Sequence, residues 1–427
     1  MNIAIIGSGG REHSLCHKIA QSSLVNQIFC IPGNAGTKSI AKNIDVDISN
    51  FPEIYKALKK EKIDIAIIGP EQPLVDGIVD YLNKKNIKVF GPNKFASQLE
   101  GSKGFMKDLC KKYNIPTAKF KIFENFKEAA NFIDNNSIPI VVKADGLAAG
   151  KGVSICKSTD EAKEKTREIL EGKFSSSKKV VLEEFLEGEE LSYFVIVDEN
   201  SYNFFGSAQD HKRVGEGDTG PNTGGMGAYS PTKILTNELE KKIKKKIIEP
   251  TLKAMKDLGH PYKGFLYAGL MINKNEPYLI EYNIRMGDPE CQVLMMRLKT
   301  DLVKIIDNAT KNSLNNLKIE WNKNSCMTIV LCSKGYPGTY IKDAEIKNLT
   351  KATSDKNNQI FHAGTYEKNN KVFSNGGRVL NITSAANNLL EARNKSLNNL
   401  EKINWTDGFF RKDIGWRAIK KDENNKR

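Results

Sequence analysis

No stretch of the 427-residue chain approaches the roughly 18 consecutive apolar residues that a membrane-spanning helix needs, which argues against a helical membrane protein. The N-terminus shows no basic segment followed by an apolar core and a small-residue cleavage site, because Gly7 cuts the first apolar run short; the start reads as a buried strand. Cysteine pairs are missing too. The seven cysteines, at 16, 30, 110, 156, 291, 326 and 332, stand singly with no Cys-x-x-Cys, a pattern that fits reduced thiols in the cytoplasm and not a disulfide framework. Histidine is scarce, with five in all; His13 and His17 lie four apart but have no third ligand nearby, so surface or capping roles are expected of them, not zinc. There are no internal repeats and no low-complexity linkers.

What is present is charge and alternation. The formal charge is +14, yet the lysines are spread along helical stretches such as "KKIKKKI" at 241–247, without interleaved aromatics. That excludes nucleic acid as the favoured partner and leaves a solvated basic surface suited to anionic small molecules. At about 150 residues per domain the length allows roughly three domains. Residues 1 to about 100 alternate short apolar runs, "IAIIG", "IFCI", "IDIAIIG" and "IKVFG", with amphipathic stretches, the pattern of a parallel α/β sheet. Ligands sit at the carboxyl ends of such strands, and here those ends carry Gly7 to Arg11, Pro32 to Gly36, and Gly69 to Glu71. Further on come mixed helices and strands, a glycine-rich polar segment at 209–231 too long for an ordinary connection, and short strands from about 325.

Four segments carry candidate chemistry. The opening turn fits a dinucleotide fingerprint only in part. Gly7 and Gly9 match, but Glu12 stands where a third glycine packs helix on strand, and "IPGNAG" replaces the ribose-binding acid after the second strand. Both departures weigh against a nicotinamide cofactor. What remains is a glycine turn and helix N-terminus that can hold an anion, with Arg11 placed to add a bidentate contact. The segment "VVKADGLAAGKGV", 141–153, offers Lys143, Lys151 and backbone amides around Gly146, Gly150 and Gly152 to a polyphosphate; it is not a Walker loop, and a plain glycine-rich hairpin reads the same way. In "LEEFLEGEELS", Glu183 and Glu190 flank Phe185-Leu186, which suits adenine on backbone and ribose on carboxylate, although a solvated acidic turn shares the pattern. In "YLIEYNIRMGDPE", Glu281, Asn283 and Arg285 alternate on one face of an apolar strand. Carboxylate and amide oxygens two residues apart suit Mg²⁺, and Arg285 suits a phosphoryl or carboxylate group. His211 lies in "QDHKR" among Asp210, Lys212 and Arg213.

In this order, "GSGGREH", "PGNAGT", "GPEQPLVDG", "QLEGSK", "KADGLAAGKGV", "EEFLEGEE", "QDHKRVGEGDTGPNTGGMGAYSP", "GFLYAGLM", "GDPE", "HAGT", "NGGRVL" and "RKDIGWRA" resemble the ATP-grasp ligases, and among them the phosphoribosylamine–glycine ligase family. The resemblance runs from about residue 1 to 420. It implies an α/β (α+β overall) fold: a Rossmann-like domain at 1–101, an ATP-grasp domain at 102–324 with a lid at about 118–193, a small β-rich domain at 325–420, and a disordered tail at 421–427. It further implies that ATP, glycine and 5-phosphoribosylamine are joined through a glycyl phosphate in an early step of purine synthesis, by a cytoplasmic monomer. Lys103, Lys143, Gly150, Lys151 and Gly152 would then serve the nucleotide phosphates, Glu183, Phe185 and Leu186 the adenine, and Glu190 the ribose. Glu281 and Asn283 would bind Mg²⁺ or Mn²⁺, while Arg285 and Asp288, beside Gly287, would take glycine's carboxylate and ammonium. Phosphoribosylamine would use Gly9, Gly10, Arg11, Asn34 and Glu71, closed from the far side by Arg378, and Asp210, His211 and Arg213 are expected to bind substrate. One departure stands out: "YAGLM" at 267–271 lacks the metal-binding carboxylate that many ATP-grasp enzymes carry there, which leaves a second metal's ligands open. Another carboxylate–amine ligase or a carboxylase would share the nucleotide residues but not the 209–231 segment.

Overall fold

The computed structural model describes all residues except 149–151, 175–177, 353–356 and 425–427, and omits the side chains of 352 and 422–424. Strands Asn2–Gly7, Gln27–Pro32, Lys42–Asn43, Ile65–Ile68 and Val89–Phe90 form a five-stranded sheet whose pairs are all parallel. Ile3 and Ile5 on one face, and Ala4 and Ile6 on the other, are all buried, as expected when helices cover both sides. The first strand lies between the second and the fourth, so Gly7 and Gly69 leave the sheet side by side. Strand order reverses there, and a crevice opens.

Helix Lys103–Lys112, capped by the Ser102 hydroxyl on the Phe105 amide (3.1 Å), leads out of this domain. A four-stranded antiparallel sheet follows, in the order Phe120–Phe123, Val180–Glu184, Ile140–Ala144, Val153–Cys156. Helices Phe126–Asp134 and Thr159–Leu170 bury Ala129, Ile133, Ala162 and Ile169 against it, giving this unit its own small core. Its strand ends carry Lys143 and Glu183.

The largest sheet is antiparallel and runs through Glu276–Asn283, Gly264–Asn273, Glu189–Val197, Tyr202–Asp210, Gly227–Ser230, Ser325–Ser333, Arg378–Ala386 and Asn358–His362. Strand Gly227–Ser230 pairs on one side with Tyr202–Asp210 and on the other with Ser325–Ser333, so the β-rich C-terminal region extends the central sheet, and it also forms a three-stranded sheet of its own from Glu345–Ile346, Lys371–Ser374 and Thr365–Lys368. The pairing covers an edge that would otherwise be left open, and strand periodicity carries no sign of a partner so distant in sequence. The polar 209–231 segment is ordered by a hairpin of Arg213–Gly215 with Thr219–Asn222. Residues 237–257 are helical, with a wider turn at Lys244–Ile248. Pro250 has no N–H to return to the carbonyl four residues back, which accounts for that turn. The final helix runs Trp416–Asn424, into the segment expected to be a disordered tail. Among the described residues no helix is long and apolar enough to cross a membrane.

Candidate functional site: a cleft shared by four segments

The parallel sheet, the four-stranded sheet, the central sheet and the C-terminal strands meet around one cleft of about 1190 Å³. This exceeds the usual range for a single drug-sized ligand, roughly 300–1,000 Å³. Of the residues singled out from the sequence, Arg11, Glu71, Lys103, Lys143, Gly152, Glu183, Phe185, Leu186 and Glu190 line it, as do Asp210, His211, Arg213, Glu281, Asn283, Arg285, Gly287, Asp288 and Arg378. Gly9, Gly10 and Asn34 do not. Gly150 and Lys151 lie outside the described residues.

On the side of the four-stranded sheet the charges interlock. The Lys143 ammonium, nearly fully buried, meets Glu183 Oε2 at 2.9 Å, and Lys107 Nζ meets Glu183 Oε1 at 3.1 Å and donates to Thr117 Oγ1 at 2.6 Å. Lys107 was missed in the sequence, although it sits one helical turn after Lys103, the spacing that puts two side chains on one face. Lys103 Nζ donates to the Gly146 carbonyl at 2.9 Å. Burial draws the ammonium pKa of both Lys103 and Lys107 down, partly offset by Glu281 for the first and Glu183 for the second. Phe185, 38% exposed, is one of the few large apolar side chains left open, and it faces the cleft. Glu190 meets Lys212 Nζ at 3.0 Å.

Glu281 and Asn283 end the strand Glu276–Asn283 at the cleft, as the alternation predicted. Burial acts to raise the Glu281 carboxyl, yet the ammoniums of Lys212, Lys143 and Lys103 hold it below its ordinary range, ready as an anion. Beside it burial pushes Asp210 up to about 8, against the pull of Lys212 and reinforced by Glu290 and Glu190. Glu290, also missed, receives the Ser192 hydroxyl at 3.2 Å, and that hydroxyl pairs with Tyr267 OH at 2.9 Å. It is the last letter of "GDPE", where its neighbours drew the attention. Among the described residues no three or more His, Cys, Asp or Glu side chains are arranged to hold a metal by themselves.

Arg285 is not free. Its Nε donates to Glu71 Oε2 at 3.1 Å, Nη2 to Glu100 Oε1 at 2.9 Å and Nη1 to the Met286 carbonyl at 3.2 Å. Arg285 draws Glu71 down to about 2, while burial pushes Glu100 up to about 7 against the pull of Arg285. Asp288 is engaged as well: Gln292 donates to Oδ1 at 2.8 Å, and Arg378 Nη2 lies 3.7 Å from Oδ2. Arg378 Nη1 also donates to the Gly224 carbonyl at 2.6 Å, tying a C-terminal strand to the glycine-rich segment.

The opening turn departs most from expectation. Its anion is already supplied by the chain: the Gly9 amide donates to Glu12 Oε2 at 2.6 Å, and Arg11 Nε donates to Glu12 Oε1 at 2.6 Å. A Cβ on Gly69 would lie 2.1 Å from Glu12 Oε1, so this glycine makes room for the Glu12 carboxylate. The Arg11 amide points to Asp288 Oδ2 at 3.4 Å, and its Nη1 donates to the Met286 carbonyl at 3.3 Å. Gly10 is buried against Asn381 and Gln292, where a Cβ would come within 2.3 and 2.6 Å of their amide nitrogens. Asn34 is buried, donating to the Ser8 and His362 carbonyls at 2.8 Å each and accepting from the Gly36 amide; it braces a loop. His13 is not at the surface: its Nδ1 accepts the His362 amide at 2.8 Å, and burial holds its ring well below its ordinary pKa.

His211 and Arg213 have structural partners too. His211 Nε2 accepts the Gly415 amide at 2.9 Å, which leaves Nδ1 to face Asp218 at 3.4 Å. Asp218 also receives Arg411 Nη1 at 3.0 Å and Arg417 Nη2 at 2.8 Å, so "RKDIGWRA" fastens the polar segment from behind. Arg213 Nη1 donates to the Gly220 carbonyl at 2.8 Å within its own hairpin.

A Rossmann-like sheet, a four-stranded antiparallel sheet and a central antiparallel sheet around buried lysines and a Glu-x-Asn strand end define the ATP-grasp class. Comparison with known proteins carries this further. Residues 1–100 match the family model for the phosphoribosylglycinamide synthetase N domain, 101–291 that for its ATP-grasp (A) domain, and 326–417 that for its C domain. The chain is 48% identical over 423 residues to the phosphoribosylamine–glycine ligase of Mesorhizobium japonicum, covering 99% of each. It is also 48% identical to the chloroplastic phosphoribosylamine–glycine ligase of Arabidopsis thaliana, covering 97% of this chain and 79% of that one. The crystal structure of the Thermotoga maritima phosphoribosylamine–glycine ligase superposes with a TM-score of 0.83 at 34% identity, covering 97% of this chain and all of that one. The chain belongs to the phosphoribosylglycinamide synthetase family of ATP-grasp ligases.

Proposed function

We propose that the chain joins glycine to 5-phosphoribosylamine with cleavage of ATP, giving glycinamide ribonucleotide, ADP and phosphate. The observation that carries this reading is the anionic Glu281, paired with Asn283 on one strand face and held low by three lysines, inside a cleft of a chain that matches the family end to end. A glycine carboxylate oxygen attacks the γ-phosphorus, the bond to the bridging oxygen breaks, and ADP leaves. The nitrogen of phosphoribosylamine then attacks the acyl carbon of glycyl phosphate; phosphate departs with the bonding pair and the amine loses a proton.

Lys103 and Lys143 neutralise the nucleotide phosphates, the exposed Phe185 face and its neighbouring backbone receive the adenine, and Glu190 receives the ribose. Glu281 and Asn283 supply two hard oxygens, a set that fits Mg²⁺ or Mn²⁺ shared with phosphate oxygens and not a cage made of protein alone. Such an ion, when bound, lowers the energy of charge building on the transferring group. Arg285 takes the substrate carboxylate by exchanging Glu71 for it, and Asp288 takes the ammonium beside Arg378. The 5-phosphate falls to the cationic rim around Arg378, because the Gly9 and Arg11 amides of the opening turn are already taken by Glu12 and Asp288. All seven cysteines are free and buried, which supports a reducing compartment such as the cytoplasm, and the named residues form the cleft within one chain, as a monomer requires.

Incubation with ATP, freshly generated phosphoribosylamine and isotope-labelled glycine should yield labelled glycinamide ribonucleotide by mass spectrometry. A carboxylated product, or ligation to a different amine, would overturn the reading.

A further inference from the structure

Glu100 has no role in the reading above, yet it is a buried, doubly held carboxylate at the reacting end of the cleft. It sits in the short helix Gln98–Gly101 with a side chain only 9% exposed, and both of its oxygens have defined partners. Oε1 receives Arg285 Nη2 at 2.9 Å, and Oε2 receives the Ile284 amide at 2.9 Å. It thus grips the residue directly after Asn283 and the guanidinium directly after that. The second carboxylate on Arg285, Glu71, is 30% exposed and lines the open cleft. An incoming anion can displace the exposed partner and not the buried one.

We propose that Glu100 is the positioning residue of the ligase: it anchors Arg285 and the end of the Glu281–Asn283 strand, while Glu71 is the partner that gives way to substrate. This rests on the ligase reading and adds to it a division of labour between two carboxylates on one arginine. A charge-assisted bond from a fixed carboxylate leaves the other edge of the guanidinium oriented before substrate arrives, the preorganisation that catalysis by positioning requires.

The test uses the full-length protein. Glu100→Gln keeps the shape of the side chain but places an amide where both oxygens now accept; Glu100→Asp keeps the charge and serves as the second variant if the first does not fold. Both should lower kcat/KM for glycine, Glu100→Gln by roughly 10–100-fold, with ATP affinity by calorimetry within about twofold of wild type. In an Arg285→Ala background Glu100→Gln should cause no further drop. An equal drop in both backgrounds, or a matching loss of ATP affinity, would mean that Glu100 only supports local packing and would overturn the proposal, as would unchanged glycine kinetics. A wild type that makes no glycinamide ribonucleotide would sink the ligase reading instead. Glu100 would then be tested by a crystal structure of Glu100→Gln, where a guanidinium that stays in place overturns the anchor and one that swings toward Glu71 supports it.

Discussion

The two ends of the cleft use the same kinds of residue and come out differently. At the Glu281–Asn283 end, lysines and carboxylates crowd a space that still opens to solvent, and the crowding holds Glu281 as an anion facing that space. At the opening turn, glycines, an arginine and a helix N-terminus are assembled just as an anion site would be, and Glu12 has filled it. The lesson is one of saturation: a motif that can bind a ligand does so only where the chain has not already supplied a buried partner.

Breaking the open end should have the largest effect. Glu281→Ala is expected to lower kcat by at least about 10²–10³-fold while leaving the melting temperature close to wild type, as read by steady-state kinetics beside thermal unfolding. Near-normal turnover at ordinary Mg²⁺ would equate the two ends. The Lys107–Glu183–Lys143 group is the intermediate case, both buried and facing the cleft. Glu183→Ala leaves two buried ammoniums without their carboxylate and should cost about 3–5 kcal/mol in urea denaturation, along with weaker ATP binding by calorimetry.

At the saturated end the balance reverses. Glu12→Ala should cost roughly 1–3 kcal/mol of stability by uncapping the first helix and stranding Arg11. Arg11→Ala should destabilise the chain while changing the KM for phosphoribosylamine by less than about threefold, on the premise that a charge-assisted bond to a buried carboxylate, here Glu12 with a side chain 2% exposed, is not given up to substrate. A large KM effect confined to that substrate would restore the turn as a phosphate site.

The smallest effect concerns pH. Burial lowers His362 to about 4 and His13 well below its ordinary value, and the two rings sit at the contact between the first domain and the C-terminal sheet. The unfolded chain takes up protons near pH 6.5 that the folded one refuses, so these residues subtract stability as pH falls from about 6.5 toward 4. His362→Gln should flatten that part of the stability profile measured by denaturant midpoint, and an unchanged slope would mean the rings are accessible.

Much of the fold could be read from the sequence because it rests on period and punctuation. Strand-end glycines and the alternation of Glu281, Asn283 and Arg285 follow from local rules. The continuity of the central and C-terminal sheets did not, because the register of Gly227–Ser230 with Ser325–Ser333 is a long-range fact. In the site, the lysines and the Glu-x-Asn pair were legible as residue types in a pattern. The engagement of Arg11, Arg285 and Asp288 was not, since nothing in "GSGGREH" says that Glu12 turns back onto its own helix, nor in "QLEGSK" that Glu100 reaches Arg285. Glu12 was noticed as a failed third glycine. Its carboxylate was the better clue, being an acid three residues after the N-cap.

The central claim is tested most directly by ADP release with each substrate omitted in turn. With ATP, Mg²⁺, glycine and freshly generated phosphoribosylamine together, sustained ADP formation is expected, falling to background when glycine or the amine is left out. ADP formation that continues without glycine would contradict the account.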